Sequence, residues 1–210
     1  MITLFDLPDD TTPIQFFDTI LPSELSRIPV PPHASPQRCL VHVHGENGGS
    51  WSIGVDGQTV TIRSGHITGA VLHLSITEDD WRELMFGSVR DRAVDILGGR
   101  AKAEALYNPS IFGKLFLSQD QFSRLRQFAG DLQLEIDDRE ELNKYLLTIT
   151  IGGDKPNLTN PRAKLTILLN DWLGSLTGQT NLQQAFMQGR IQLAGDMGLP
   201  MGLLSVFMSP

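Results

Sequence analysis

The strongest constraint on the fold is an internal repeat, in which a series of landmarks occurs twice with an offset of 90 or 91 residues. Each series runs from an Asp-Trp pair through a glycine and a Gly-Arg pair to an apolar tail. The landmarks are Asp80-Trp81, Gly87, Gly99-Arg100 and Phe116-Leu117-Ser118, then Asp171-Trp172, Gly178, Gly189-Arg190 and Phe207-Met208-Ser209. This period exceeds that of solenoid repeats, so we interpret it as two copies of a domain-sized unit.

Alternation of apolar and polar residues predicts that each unit contains a sheet. The Asp56-Gly57 pair between two alternating runs is a strong hairpin signal. The predicted strands are Cys39 to His44, Trp51 to Val55, Val60 to Ile62, Val71 to Ile76 and Arg100 to Leu106 in the first unit, and Leu132 to Ile136, Tyr145 to Ile151, Ala163 to Leu169 and Arg190 to Ala194 in the second.

Capping residues and helical spacing predict the helices between these strands. Thr77 precedes an acidic first turn, Ser118 precedes the linking helix, and Asn170-Asp171 provides a cap before Trp172. The amino-terminal helix is expected to follow Thr12 and to be interrupted at Pro22. The fold class is therefore α+β, with two units that are each a mainly antiparallel sheet covered by helices. The predicted division is 1–38 (helix and proline-rich connector), 39–117 (first unit) and 118–210 (linking helix and second unit).

Composition limits the classes of partner and compartment. The net charge of −7 and the pI near 5.1 argue against nucleic acid, which demands a positive field. Cys39 is the only cysteine, so no intrachain disulfide can form and a cytoplasmic location is expected. The acidic amino terminus lacks the pattern of a secretory signal, and no window is apolar enough to predict a membrane helix.

The stretch from Leu176 to Met201 carries a specific resemblance to a known family. It contains Thr177-Gly178, Ala185-Phe186, Gln188-Gly189-Arg190 and Gly195-Asp196-Met197-Gly198-Leu199, in that order. This order closely resembles the signature of the type-two sterol carrier protein family. The first unit is similar to the front half of that family, through Trp51-Ser52-Ile53-Gly54-Val55-Asp56-Gly57 and the run from Ala70 to Trp81.

The resemblance implies a five-stranded, largely antiparallel sheet with an apolar tunnel between sheet and helices. It implies binding of a sterol, fatty acyl chain or phospholipid, without a cofactor and without chemistry. The first unit departs from the pattern, because Ala105-Leu106-Tyr107-Asn108-Pro109 replaces the glycine turn. A working tunnel is therefore expected chiefly in the second unit.

An apolar tunnel wall is predicted on the last helices and strand of the second unit. Apolar residues on one helix face, on alternate strand positions and in a methionine-rich segment suit an adaptable lipid pocket. From spacing alone, the same residues suit an ordinary core better than a ligand wall, and the family resemblance makes the two interpretations even. The predicted lipid-binding residues are Phe186, Met187, Ile191, Leu193, Met197, Leu199, Met201, Leu203 and Leu204.

Two other functions stay open at this point. One is a structural or protein-interaction module whose pocket is filled by side chains. The other is a metal-assisted enzyme that uses His42, His44 and His73, although spacing places no fourth ligand beside them. No nucleophile elbow, phosphate-binding loop or carboxylate pair occurs, so no catalytic residue, metal or cofactor is predicted. The expected partner is a hydrophobic lipid; transient membrane contact, a protein partner and a homo-oligomer are left open.

Overall fold

The computed structural model describes residues 4–28, 30, 34–35, 38–57, 59–67, 70–109, 117–153 and 155–207, except the side chains of Leu204 and Phe207. Much of the predicted proline-rich connector, and the repeat's tail positions 116 and 208–209, lie outside these residues. The strands are β1 (Cys39–His44), β2 (Gly49–Asp56), β3 (Thr59–Ser64), β4 (Leu72–Thr77), β5 (Gly130–Asp138), β6 (Asn143–Ile151), β7 (Ala163–Leu168) and β8 (Ile191–Gly195). The helices are α1 (Pro13–Gln15), α2 (Leu21–Leu25), α3 (Glu78–Met85), α4 (Ser88–Leu97), α5 (Arg100–Leu106), α6 (Gln119–Leu125), α7 (Leu169–Leu176), α8 (Leu182–Met187) and α9 (Gly198–Phe207), with a 3₁₀ turn at Leu4–Asp6 and a π-helical turn at Phe16–Ile20.

The strands join in one continuous sheet with the order β3-β2-β1-β4-β6-β5-β7-β8. The β1–β4 and β5–β7 pairs are parallel, and the other neighbouring strands are antiparallel. β4 and β6 join the two predicted units, with a register that runs from Leu72 opposite Ile151 to Ile76 opposite Leu147. The α+β class is confirmed, and the two predicted sheets are halves of a single sheet.

The chain follows a similar path in both halves. The second strand of each parallel pair runs directly into a helix, so β4 leads into α3 and β7 leads into α7. Glu78 begins α3 and Leu169 begins α7, which reproduces the 91-residue offset of the sequence repeat. A shared path of this kind is what a duplication would produce, and the duplication itself stays a prediction.

The strand predicted from Arg100 to Leu106 is wrong, because this segment is helix α5. Alanines at positions 101, 103 and 105 imitate a two-residue period, but alanine is the strongest helix former. Arg100 donates to Glu104 one turn later, which further supports the helix. The place beside β4 that a fifth strand would take is occupied by β6 of the second half.

Three helix boundaries also differ from the sequence-based prediction. The amino-terminal helical segment continues past Pro22 to Leu25, because the π-helical turn places the proline in the first turn of α2, where its missing N–H is tolerated. Helix α7 begins at Leu169 after an N-cap at Leu168, so Asn170-Asp171 lies inside the helix. The methionine-rich segment near the carboxyl end is helix α9.

Aromatic residues fill the apolar face of the sheet at its β1–β3 end. Phe17 stacks on Trp51 with ring centroids 4.6 Å apart, and the Trp51 Nε1 group donates to Asp18 Oδ1 at 2.6 Å. All five rings are buried and pack edge to face or stacked, which gives well-defined core packing. This aromatic block consists of Phe16, Phe17, Trp51, Trp81 and Phe86.

The two faces of the sheet differ in character because side chains alternate along every strand. One face carries the aliphatic and aromatic positions and is covered by helices. The other is polar and carries histidine, serine and threonine side chains. On that face Gln133 Nε2 donates to the Leu158 carbonyl, so the β6–β7 connection passes over it.

Candidate functional site

On the apolar face, the residues at the middle of the strands are less buried than those at the strand ends. On β5, Leu132 and Ile136 are buried, whereas Leu134 between them is only partly buried. On β7, Ala163 and Ile167 are buried, whereas Leu165 between them is partly buried. Helices therefore cover both ends of these strands and leave the central position less enclosed.

Strand register joins these central positions into a continuous row. Leu74 lies opposite Ile149, and Leu134 lies between Leu147 and Leu165. Leu165 in turn lies opposite Leu193 on β8. The row crosses five strands, and every member is aliphatic and partly buried. We call this surface the central trough; its floor is Leu74, Leu134, Leu147, Ile149, Leu165 and Leu193.

Two groups of helices form the walls of the central trough. Helices α3, α4, α7 and α8 cover one end of the strands, and α6 and α9 cover the other. Both α7 and α9 contact β5 and β7, so the floor residues Leu134 and Leu165 lie between them. Leu74 and Leu165 contact the buried clusters on both sides. Partly covered apolar surface of this kind suits contact with a hydrophobic ligand.

The central trough is closed at one end and open at the other. At β1, Val41 pairs with Leu74 and is buried. At the other end Leu193 lies on β8, the last strand of the sheet. Exposed apolar side chains precede and follow β8 in the chain, namely Met187 (80% exposed) at the end of α8 and Met197 (55% exposed) before α9. Exposed methionines therefore flank the edge strand in the chain on both sides.

A glycine turn places the α9 wall. Gly195 has φ +85°, and a Cβ there would collide with the Arg162 carbonyl, so both the conformation and the close approach require glycine. The Asp196 carboxylate forms an ion pair with Arg162 and accepts from Gly198 N at 2.7 Å. This acceptor lies at the amino-terminal end of α9, where a negative charge is favourable.

The predicted lipid-binding residues lie around the central trough in three environments. Leu193 is part of its floor, Ile191 is buried in the α7–α8 wall, and Leu199 and Leu203 are buried in the α9 wall. The side chain of Leu204 lies outside the described residues. Exposed to solvent are Phe186, Met187, Met197 and Met201. A role for these nine residues in binding stays a prediction.

Five of the six floor residues come from strands that sequence reasoning did not assign to a site. Leu74 belongs to the first half, and Leu134, Leu147, Ile149 and Leu165 lie on β5, β6 and β7. Their alternation identified the apolar face, which is the signal available in the sequence. Which position along each strand is less covered depends on where the helices cross.

The predicted histidine positions do lie together on the polar face. His44 and His73 stack on His42, with interplanar angles of 21° and 27°. Among the described residues, no three His, Cys, Asp or Glu side chains form a group that could hold a metal ion.

Two groups with chemical potential are poorly suited to reaction. His42 Nδ1 lies 2.9 Å from Ser50 Oγ, but burial and the neighbouring imidazoles lower the pKa of His42 to about 4, so it is a weak base at neutral pH. Burial raises the pKa of the Cys39 thiol to about 12, which keeps it protonated. Neither arrangement resembles an activated nucleophile.

The comparisons with known proteins define the class of the second half. Residues 113–208 match the SCP-2 sterol transfer family. The chain therefore contains an SCP-2 sterol transfer family domain at these residues, and the resemblance predicted from the stretch Leu176 to Met201 is confirmed. The match does not extend over the first half, whose relation to the family stays a prediction.

Individual relatives match over limited lengths. Sterol carrier protein 2 from Rattus norvegicus is 44% identical over 46 residues, which are 22% of this chain and 8% of that protein. The matched segment thus spans less than a tenth of the rat protein. The crystal structure of Sterol Carrier Protein 2 Like 2 from Aedes aegypti is 20% identical, covers 51% of this chain and 97% of that one, and has a TM-score of 0.34. Sterol carrier protein domain 2 of Helicoverpa armigera is 22% identical, with 42% and 72% coverage and a TM-score of 0.32.

In the part of the chain that the structure describes, no helix is long and apolar enough to cross a bilayer.

Proposed function

We propose that the protein binds a lipid (a sterol, a fatty acyl chain or a phospholipid) in the central trough, without catalysis, for carriage or presentation. The observation that carries this proposal is the row of six partly buried aliphatic side chains between two helix walls. Apolar surface that a folded chain leaves uncovered is unfavourable in water, so a hydrophobic occupant would stabilise it. The SCP-2 sterol transfer family domain at residues 113–208 supports the same class of ligand.

The open end at β8 suits entry of an acyl chain. Leu193 leads from the edge strand towards the floor, and methionines border the opening on both sides in the chain. Methionine side chains are flexible and polarisable, so they adapt to ligands of different shape. The floor offers no charged group of its own, which favours recognition through apolar contact.

Lipid content and lipid binding test the proposal. Native mass spectrometry of the purified protein, followed by organic extraction, would reveal a co-purifying lipid. Binding is then titrated with fluorescent fatty acid, sterol and phospholipid probes. We expect at least one probe to bind, and Leu193→Trp to weaken its binding at least tenfold by filling the trough.

Gln192→Trp is the matched control, because Gln192 is the preceding residue on β8, is exposed and points to the opposite face. It should leave binding within about twofold. A protein that carries no lipid and binds none of the three probe classes would contradict lipid binding. Equal loss of binding in both tryptophan variants would place the ligand elsewhere.

A second candidate function is a structural or protein-interaction module with a filled pocket. The aromatic block favours it, because Phe16, Trp51 and Trp81 already occupy the apolar face at the β1–β3 end. Under this alternative the second half would bury its trough against a protein partner. Absence of lipid together with a stable complex of defined stoichiometry would support this candidate over the first.

A further inference from the structure

The two edge strands of the sheet differ in how they are protected against pairing with another chain. β3 carries the charged Arg63, and α2 and the π-helical turn pack against this strand. Charged side chains and covering segments are usual means by which proteins prevent such pairing. β8 contains neither a charged residue nor a proline, and its Gln192 and Ala194 are exposed. Of the two edges, β8 is therefore the one that is better suited to accept another strand.

Hydrogen bonding to β7 shows which backbone groups of β8 face the free edge. Asp196 N donates to the Arg162 carbonyl at 3.0 Å, in line with the β7–β8 register. In an antiparallel pair, residues that exchange hydrogen bonds with the neighbouring strand alternate with residues whose N–H and C=O groups point away from it. Ile191 and Leu193 therefore direct these groups to the free edge. In the described part of the chain, no strand pairs with them.

The charges around β8 are self-complementary. Arg190 precedes the strand and Asp196 follows it, each three residues from Leu193. If two copies pair antiparallel about Leu193, each Arg190 lies opposite Asp196 of the other copy, and facing opposite charges favour this register. Arg190 binds Asp171 and Asp196 binds Arg162 within the chain, but the Arg190 and Asp196 side chains remain 41% and 37% exposed. Both are therefore accessible to a second copy.

Apolar side chains are arranged in the same self-complementary way. Met187 is exposed before β8 and Met197 is exposed after it. An antiparallel arrangement brings the Met187 end of one copy beside the Met197 end of the other, where contact would remove apolar surface from water. Leu193 is also part of the trough floor, so pairing about this residue would bring the floors of the two copies together.

We propose that two copies of this chain pair through their β8 strands, antiparallel and centred on Leu193, in a two-fold dimer with one continuous sheet. The same surface is used by both copies, as a closed two-fold interface requires. A joint floor matters for lipid only if the proposed function holds. The pairing itself needs no lipid, so it is tested on the lipid-free protein and can fail or succeed independently of lipid binding.

Sedimentation velocity of the lipid-free protein tests the dimer. A five-residue strand makes a small interface, so the concentration should be varied from about 2 to 200 μM. We expect the mass to rise from the chain mass of 23.2 kDa towards twice that value. A chain that stays monomeric over the whole range would overturn self-pairing and leave this edge to a strand of a different protein.

Two double variants test the register, and they differ only at position 192. In the proposed dimer Gln192 faces Ala194 of the other copy, without hydrogen bonds between them, so their side chains are close. Gln192→Asp with Ala194→Asp places like charges opposite each other, whereas Gln192→Lys with Ala194→Asp places opposite charges there. We expect the first variant to dimerise at least about tenfold more weakly than the second. Equal dimerisation of two folded variants, checked by circular dichroism, would overturn this interface.

Hydrogen–deuterium exchange of the wild type provides a test that does not depend on the variants. Peptides that cover 190–196 should exchange more slowly at high than at low protein concentration, because pairing protects the outward amides of β8. Peptides from β3, residues 59–64, are the internal control and should be independent of concentration. Protection that appears at β3 and not at β8 would overturn the proposal.

Discussion

The apolar face has the same strand alternation over β1 to β3 and over β4 to β8, but different side chains and helices cover the two regions. At the β1–β3 end, rings from the amino-terminal helical segment and from α3 fill the space above the sheet. Across β4 to β8, Leu134 and Leu165 lie between two helix walls and are only partly buried. The comparison indicates that a strand pattern defines an apolar face, whereas the elements laid over it decide whether that face becomes core or pocket.

A second difference concerns the strand at the end of each half. In the second half the segment after Gly189-Arg190 is β8, which pairs with β7 and carries Leu193. In the first half the segment after Gly99-Arg100 is α5, and β6 pairs with β4 instead. The first half thus provides a strand edge on which the second half continues the sheet, and this exchange extends the trough floor to Leu74.

The largest expected loss of stability comes from the aromatic block. Trp51→Ala removes a buried ring that stacks on Phe17 and donates to Asp18, so the free energy of unfolding should fall by about 3–5 kcal/mol. Urea denaturation followed by circular dichroism measures the loss. A loss below about 1 kcal/mol would contradict a filled core at this end of the sheet.

The next largest effect is expected at an ion pair that joins the two halves. Arg92 on α4 binds Asp138 at the end of β5, whose side chain is only 1% exposed. Arg92→Ala leaves that carboxylate without its guanidinium and should cost about 2–4 kcal/mol in urea denaturation at pH 7. Because one sheet runs through both halves, we expect a single unfolding transition in the variant. Two separate transitions would show that the halves are independent units.

The contribution of this ion pair should depend on pH. Burial alone would raise the pKa of Asp138, but hydrogen bonds from Arg92 and from the Glu140 and Glu141 amides outweigh burial and lower it below its ordinary value of 3.8. The stabilisation is therefore complete well above 3.8 and is lost as the pH falls below that value. Urea midpoints of the wild type and Arg92→Ala should converge as the pH falls from 5 to 2.5; a constant difference would contradict this assignment.

A matched pair on β7 compares the trough floor with the buried core. Ile167 and Leu165 lie on the same face two residues apart, but Ile167 is buried and Leu165 only partly so. Ile167→Ala should lower the free energy of unfolding by about 2–4 kcal/mol, and Leu165→Ala by about 1 kcal/mol, because the trough already leaves its side chain partly uncovered. Equal losses in urea denaturation would mean that the floor is ordinary core.

The smallest effect is expected at the exposed methionine of α9. Met201 is 55% exposed, so Met201→Ser should change the free energy of unfolding by less than about 0.5 kcal/mol. Leu203→Ala, two residues later in the buried wall, is the control and should cost about 2–3 kcal/mol. A large loss for Met201→Ser would contradict the exposed position of this side chain.

Sequence reasoning succeeded where structure is decided locally. Thr77 caps α3 by accepting from Asp80 N at 3.0 Å, and Ser118 forms a capping box with Gln121, as their positions before helical segments predict. Alternation likewise predicted the strands of the sheet, and only the strand predicted from Arg100 to Leu106 is wrong. The prediction for that segment failed because its residue pattern allows both a strand and a helix. The choice between them depends on whether a strand edge is free to pair with the segment.

The candidate site was predicted less completely than the fold. Leu193 was identified from alternation, whereas Leu74, Leu147 and Leu165 were not, because they become neighbours only through pairing of distant strands. Strand register depends on hydrogen bonds between segments far apart in the chain, which periodicity does not specify. The histidines of the polar face show the same limit. His42, His44 and His73 were grouped from the sequence. His66 was not, because only the fold places it beside His42 and His73.

The sequence by itself determined the α+β class, the apolar face of each strand, most helix starts and the family resemblance of the second half, because these follow from local periodicity, capping and an ordered motif. Only the tertiary structure decided that the two halves share one sheet, that α5 replaces a strand, and that helices fill one end of the apolar face while leaving a trough across the rest. These outcomes depend on competition among distant segments for strand edges and apolar surface, and burial free energy decides that competition over the whole chain.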